Sequence, residues 1–293
     1  MMTPITAHAP AKINLTLTIT GRRDDGYHLM DSLVVFAQLA DVITLEPADE
    51  DHLIIAGGQA APLMDIDPRD NLIMKAIIAY RNAAGWAQPL AVHLEKNIPI
   101  AAGIGGGSSD AAAVLSALNR HSPTPLPPDE LMALGLTLGA DIPICLAKNL
   151  ESDVKAWRVE GIGEKVSPLS LPSLSSAGLI LLNPQVSLST KDVFTRLNFP
   201  SSSKPTPDQM PSDLSSWLER GNDLLPPAMA LAPEIGPCLS DLSRLSSHQG
   251  YRAHGMSGSG ATCFALFDTA DQAKKAAGSL EENAFWQWAG ALA

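Results

Sequence analysis

The segment Pro99-Ile-Ala-Ala-Gly-Ile-Gly-Gly-Gly-Ser-Ser109 decides how the rest of this chain reads. Before it, residues 90–94 alternate with the period of a strand and run on to Lys96; after it, Asp110-Ala-Ala-Ala-Val-Leu-Ser-Ala-Leu-Asn119 is an alanine-rich helical run. Gly103, Gly105, Gly106 and Gly107 let the backbone approach a ligand closely. The helix start behind them presents unpaired N–H groups and the positive end of the helix dipole, which together favour a phosphate. The hydroxyls of Ser108 and Ser109 add donors, or help to hold a phosphate-bound metal. No Gly-Lys-Ser/Thr ending is present, so this is not a P-loop, and Ser108 stands where Gly-x-Gly-x-x-Gly would need its last glycine. A ligand-free tight turn is the plainer alternative. Glycine at 103 and 105–107, ahead of two serines at a helix start, is more than a turn requires.

Outward from the loop, residues 11–20 alternate without a break, with Ile13, Leu15, Leu17 and Ile19 on one face and Lys12, Asn14, Thr16 and Thr18 on the other. That is the pattern of a half-buried strand. A turn follows at Gly21-Arg-Arg-Asp-Asp-Gly26, and strands are expected over 29–36, 42–46 and 53–56. Asp70 reads as the cap of a helix carrying Leu72, Ile73, Ala76, Ile77 and Tyr80. A further helix is expected over 129–138, opened by Pro127 and Pro128 and closed by Gly139. Beyond residue 154, strands are expected over 178–182 and 261–267, with helical segments around Thr190, Ser212, 233–247 and Asp271. Residues 200–207, rich in serine and proline, read as a surface loop. Strands and helices are mixed rather than regularly alternating, which predicts two α+β domains, 1–153 and 154–293.

A length of 293 residues and 45% hydrophobic content suit two packed domains. No apolar run approaches the ~18 residues that span a bilayer, and the N-terminus lacks a basic region followed by an apolar stretch, so neither a membrane partner nor a secretory signal is expected. Cys145, Cys238 and Cys263 are scattered and odd in number, which fits a reducing cytoplasm rather than a disulfide framework or a zinc site. The formal charge of −11 disfavours a nucleic-acid partner, which requires a basic footprint. The seven histidines show no metal-ligand spacing.

Four segments, taken in order, resemble the GHMP kinase superfamily, which includes galactokinase and the homoserine, mevalonate and phosphomevalonate kinases. They are Pro10-Ala-Lys-Ile-Asn-Leu15 with Arg23-Asp-Asp-Gly-Tyr-His28, the loop 99–110, Gly139-Ala-Asp-Ile-Pro143, and Gly255-Met-Ser-Gly-Ser-Gly-Ala-Thr262. They span nearly the whole chain, and the Asp-Gly-Tyr-His element selects the branch whose acceptor is linked to cytidine diphosphate. The resemblance implies an N-terminal ribosomal-protein-S5-like ATP domain and a C-terminal ferredoxin-like α/β-plait domain, with ATP and acceptor meeting between them. It implies ATP with Mg2+ as phosphoryl donor, and as acceptor the 2-hydroxyl of a small cytidine-diphosphate-linked molecule of non-mevalonate isoprenoid synthesis. A monomer or homodimer is expected. On the same resemblance, Asp141 is the catalytic base and Lys12 its partner. Pro99, Ile100, Ala101, Ala102, Gly103, Ile104, Gly105, Gly106, Gly107, Ser108 and Ser109 hold the phosphates, and Asn71 and Lys96 lie near the adenosine. Asn14 contacts substrate, and Tyr27, His28 and Phe194 match the cytosine pocket. Ala101 and Ala102 stand where some relatives have glycine, which stiffens the first turn of the loop.

Read without the resemblance, each of these residues has a plainer role. Lys12 on a polar strand face reads as a solvated lysine, Asp141 before Ile142-Pro143 as turn chemistry, and Asp110 as a residue that caps a helix or complements its dipole. What favours catalysis is the set: a donor cradle, a cation and a base, which phosphoryl transfer needs for positioning and charge stabilisation. The alternatives are another GHMP kinase, such as a homoserine kinase, or a nucleotide-binding module without catalysis.

Overall fold

The computed structural model describes residues 3–197, 210–280 and 285–293. The loop expected at 200–207 lies outside the described residues. In chain order the strands are β1 (Ile5–Asn14), β2 (Thr18–Arg22), β3 (His28–Pro47), β4 (His52–Ala56), β5 (Leu90–Glu95), β6 (Ala156–Gly161), β7 (Lys165–Leu169), β8 (Gly178–Asn183), β9 (Tyr251–Met256), β10 (Cys263–Phe267) and β11 (Trp286–Ala291). The helices are α1 (Leu72–Ala84), α2 (Gly106–His121), α3 (Pro128–Leu138), α4 (Ile142–Leu150), α5 (Thr190–Arg196), α6 (Leu214–Leu218), α7 (Leu225–Leu231), α8 (Ile235–Arg244) and α9 (Ala270–Ala277). Short 3-10 turns punctuate them.

The chain divides into two units, each of mixed α and β content as expected. One comprises Met1–Ala11, Leu39–Ile100 and Gly105–Ser152; the other comprises Lys12–Gln38, Ala101–Ile104 and Asp153–Ala293. The first unit's last segment ends at Ser152, one residue short of the 1–153 bound expected from the sequence. Residues 12–38 and the loop residues 101–104 nevertheless group with the C-terminal half.

In the first unit, β5 pairs antiparallel with the second half of β3 (Val42 opposite Glu95 through Pro47 opposite Leu90) and parallel with β4. Helix α2 packs against α1 and α4, and its alanine-rich face is fully screened from water at Ala111, Ala112, Val114 and Leu115. Each fully buried Leu, Ile or Val here contributes about 1.5–3 kcal/mol relative to exposure. Helix α1 begins one residue later than expected. Its cap is Asn71, whose side-chain oxygen accepts from the Ile73 N–H at 2.9 Å, whereas Asp70 ends a preceding 3-10 turn. Helix α4 was not anticipated: Ile142-Pro143, read as a turn, forms its first turn, where a proline lacks no needed donor.

In the second unit, the first half of β3 pairs with β2 and β6, and β6 with β7. A four-stranded antiparallel sheet follows in the order β11-β8-β10-β9, the strand order of the expected plait. Period-2 alternation turns Ile180 and Leu182 of β8 and Cys263, Ala265 and Phe267 of β10 toward one core, closed by Cys238 and Leu242 of α8 and Ala273 and Ala276 of α9. The opposite face is also dry, since Leu179, Leu181, Phe264 and Leu266 are buried too.

Two expectations near the N-terminus change. The strand expected over 11–20 is broken: β1 ends at Asn14 and β2 starts at Thr18. Between them, Leu17 exchanges backbone bonds with the loop at Gly221 and Asp223. Its polar face is not solvated either, because Lys12, Asn14 and Thr16 are all buried. The two strands expected over 29–36 and 42–46 are one 20-residue strand, β3. Asp41, between the two expected strands, is fully buried inside it.

Candidate active site

The glycine-rich loop takes its shape from close backbone packing. Gly103 has φ +71°, and a Cβ there would lie 2.4 Å from the Gly260 carbonyl oxygen, so only glycine fits. The loop is tied to the second glycine segment by Ser257. Its hydroxyl donates to the Gly103 carbonyl at 3.1 Å and accepts from the Asn14 backbone N–H at 3.1 Å. Two further backbone bonds complete the seam: Thr262 N–H to Ala102 O at 3.1 Å, and Lys12 N–H to Ile104 O at 2.9 Å. Ala101, exposed, is held at φ +52°, a conformation costly for a residue with a Cβ.

Helix α2 begins directly after Gly105, itself at φ +67°, with no side-chain cap. The first N–H groups of an α-helix have no intrahelical acceptor, so those of Gly106, Gly107 and Ser108 are available to an anion. The two serines separate in role. The Ser109 hydroxyl turns inward and donates to Pro10 O at 2.8 Å, while Ser108 remains partly exposed at the helix start.

Asn71 and Lys96, expected near the adenosine, both have side chains engaged within the protein. The Asn71 side chain is engaged as the α1 cap. The Lys96 ammonium is buried, bonded to Asp41 and, at 2.8 Å, to Asp110. What Lys96 offers its surroundings is backbone: its N–H donates to Ala56 O at 2.7 Å and its carbonyl accepts from Gln59 N–H at 3.0 Å. Asp110 therefore neither caps α2 nor points outward, but pairs inside the unit. Burial opposes the charge on Lys96, and the Asp110 and Asp41 carboxylates outweigh it, holding the ammonium pKa above its ordinary value.

Lys12 is only 5% exposed, which displaces the reading of a solvated lysine; a cation so buried is retained for its interactions. Asn14, beside it on β1, donates through Nδ2 to Ser32 Oγ at 2.7 Å, and Ser32 in turn donates to Thr16 O at 2.5 Å. Its other side-chain atom, Oδ1, is buried with no partner among the described residues and lies next to Gly258. Asp141 occupies the position before α4 with φ −86° and ψ −9°, and its carboxylate does not cap that helix.

On the second unit, His28 and Phe194 stack with ring centroids 5.2 Å apart and planes 28° apart. The structure thus brings together two of the three rings expected in one pocket. Tyr27 precedes them on a tight turn closed by Arg23 N–H to Tyr27 O at 2.7 Å, and the residue is 60% exposed. Partial burial, and then the charge of Arg22, hold the His28 pKa below its ordinary 6.5, so the imidazole is neutral at neutral pH, with one donor and one acceptor.

Comparison with known proteins fits this geometry. Residues 71–149 match the N-terminal domain of GHMP kinases and residues 211–284 match their C-terminal domain. A 4-diphosphocytidyl-2-C-methyl-D-erythritol kinase of Mesorhizobium japonicum is 45% identical over 285 residues, covering 95% of this chain and 92% of that protein. One from Cereibacter sphaeroides is 45% identical over 288 residues, covering 96% of each. The chain belongs to the 4-diphosphocytidyl-2-C-methyl-D-erythritol kinase family of GHMP kinases. A crystal structure of a 4-(cytidine 5'-diphospho)-2C-methyl-D-erythritol kinase superposes with a TM-score of 0.75 at 33% identity, covering 98% of this chain and 99% of that one. Homoserine kinase from Cytophaga hutchinsonii shares the fold, with a TM-score of 0.66 at 16% identity. As a member of this family the chain is an ATP-dependent kinase of mixed α+β fold. Among the described residues, no helix is long and apolar enough to cross a membrane and no group of three His, Cys, Asp or Glu side chains is placed to hold a metal ion.

Reading the sequence alone left out Ser257, the tie between the two glycine segments, and Asn222, whose Nδ2 donates to Met256 O at 2.7 Å and Gly258 O at 2.8 Å. It also left out Asp41. The Gly255–Thr262 motif was the available signal for Ser257, because a serine among glycines at a backbone approach has few uses other than tying carbonyls and N–H groups.

Proposed function

We propose that the chain transfers the γ-phosphoryl group of ATP to the 2-hydroxyl of 4-diphosphocytidyl-2-C-methyl-D-erythritol, yielding the 2-phosphate and ADP in non-mevalonate isoprenoid synthesis. The observation that carries this reading is full-length identity of about 45% to kinases of that name, supported by the Tyr27-His28 element and its stacked Phe194. Homoserine kinase shares only the fold.

In this reading the loop 99–109 cradles the triphosphate with the backbone N–H groups at the start of α2. Asp141 accepts the proton of the acceptor hydroxyl as its oxygen bonds to the γ-phosphorus and the bond to the β-phosphate oxygen breaks. Lys12 stabilises the charge on the reacting oxygens. Asn14 orients the acceptor through Oδ1. The Tyr27 and Phe194 rings stack on cytosine, and the neutral His28 reads the base edge. Magnesium suits the hard oxygens of the phosphates and the Ser108 hydroxyl, and would supply charge neutralisation there.

An assay of ATP consumption with the cytidine-linked erythritol, homoserine and mevalonate as acceptors tests the reading. Turnover with the first alone supports it; turnover with only homoserine or mevalonate overturns it.

A further inference from the structure

The loop that joins α6 to α7, residues 219–224, spends its side chains on other parts of the second unit. Asn222 Nδ2 donates to Met256 O at 2.7 Å and to Gly258 O at 2.8 Å, and its Oδ1 accepts from Leu224 N–H at 2.8 Å. A carboxamide has two N–H donors, and both go to the carbonyls that flank Ser257. An aspartate of the same shape would instead set an oxygen against both carbonyls. Gly258 has φ +56°, and a Cβ there would lie 2.9 Å from Gly103 O and 3.3 Å from Asn14 Oδ1. The Gly258 backbone therefore bounds the space around Asn14 Oδ1, the buried atom with no hydrogen-bond partner among the described residues.

The loop is itself anchored to the strands that carry the acceptor residues. Arg220 Nη1 donates to Asp31 Oδ2 at 2.8 Å, and Arg158 grips both Asp31 oxygens at 2.9 and 3.0 Å. Asp31 is 1% exposed, and its charge is retained there because two guanidinium groups face it. The Arg220 guanidinium also lies over the Trp217 ring, 4.5 Å from its centroid. Leu17 exchanges backbone bonds with Gly221 and Asp223, and Ile19 N–H donates to Asp223 Oδ2 at 2.9 Å. Asp31 lies on β3 between His28 and Ser32, and Ser32 Oγ accepts from Asn14 Nδ2. One stretch of β3 thus holds the Nδ2 end of the Asn14 amide directly. Through Arg220 and Asn222 it also places the backbone that faces the Oδ1 end.

We propose that Asn222 is a positioning residue for the acceptor: located by the Asp31–Arg220 ion pair, its carboxamide fixes Gly258 at the spacing that keeps Asn14 Oδ1 open to the acceptor. The inference rests on the reading of Asn14 Oδ1 as the group that orients the acceptor. Ser257 holds the same segment to the phosphate loop without Asn222, so loss of Asn222 acts on the acceptor and not on ATP.

The test combines steady-state kinetics with the cytidine-linked erythritol and a separate titration of ATP without acceptor. Asn222→Asp and Asn222→Ala should lower the acceptor kcat/KM by about tenfold or more while the ATP dissociation constant moves by less than about twofold. Arg220→Met leaves Asp31 paired with Arg158 and should shift the acceptor kcat/KM in the same direction; Arg220→Lys, which keeps the charge, should restore most of it. In an Asn14→Ala background, Asn222→Ala should cost less than about twofold more, because its effect passes through Asn14. A folded Asn222→Asp with the wild-type acceptor kcat/KM overturns the inference. So do equal losses for ATP and acceptor, and full additivity with Asn14→Ala. If the Asn222 variants fail to fold, the Arg220→Met and Arg220→Lys pair decides. A wild type that does not phosphorylate this acceptor sinks the proposed function and this inference with it; an active wild type with unaltered variants sinks this inference alone.

Discussion

The Ser257 hydroxyl donates to the Gly103 carbonyl at 3.1 Å, joining residues 154 positions apart. The same oxygen accepts from the Asn14 N–H. One fully buried hydroxyl thereby sets the spacing of the phosphate loop, the second glycine segment and the end of β1. Ser257→Ala leaves a buried N–H and a half-buried carbonyl unpaired, at a cost of about 1–3 kcal/mol. Thermal unfolding should show that loss, and the ATP KM should rise, because the loop residues that Ser257 holds are those that approach the phosphates. An unchanged melting temperature with an unchanged ATP KM would contradict this role.

The backbone of the loop makes opposite predictions at two neighbouring positions. Gly103→Ala combines φ +71° with a Cβ 2.4 Å from Gly260 O, so a loss of about 3 kcal/mol is expected, with collapse of activity. Ala101→Gly relieves a strained φ of +52°. The relief of about 1–2 kcal/mol is partly offset by the freedom glycine gains in the unfolded chain, about 0.4–1 kcal/mol. Denaturant unfolding should show a slightly stabilised Ala101→Gly protein.

Acceptor recognition should depend on pH through His28. Its pKa lies below 6.5 because of partial burial and then Arg22, so the ring is neutral at and above neutral pH and gains a proton only on the acid side. Protonation removes the acceptor nitrogen. The acceptor KM should therefore stay level from pH 8 to 6.5 and climb below that, while His28→Gln, which keeps a donor and an acceptor without titrating, flattens the climb. Equal slopes for the two proteins would remove His28 from base reading.

Much of this fold was legible because its signals are local. The period of residues 72–80, the alanine run after the loop and the alternation of 90–94 correspond to α1, α2 and β5. What was not legible depends on distant partners. Asp41 falls between the two strands expected over 29–36 and 42–46, and sits in the middle of β3 because Lys96, 55 residues on, and the N–H groups of Asn97 and Ile98 satisfy it. Pro143 looks like a turn, although the second position of a helix tolerates it. Lys12 on an alternating strand looks solvated, and only tertiary packing buries it. The site residues were named through the family motifs. Their sequence periodicity gave no indication that Asn71 caps a helix or that Lys96 points inward.

Asp141 carries the central claim, and one paired measurement reaches it directly. Single-turnover phosphorylation of the cytidine-linked erythritol by Asp141→Asn is followed alongside ATP binding to the same protein. Removal of a general base predicts a drop in rate of roughly 100-fold or more with the ATP dissociation constant unchanged. A variant that binds ATP normally and turns over at the wild-type rate would contradict the account.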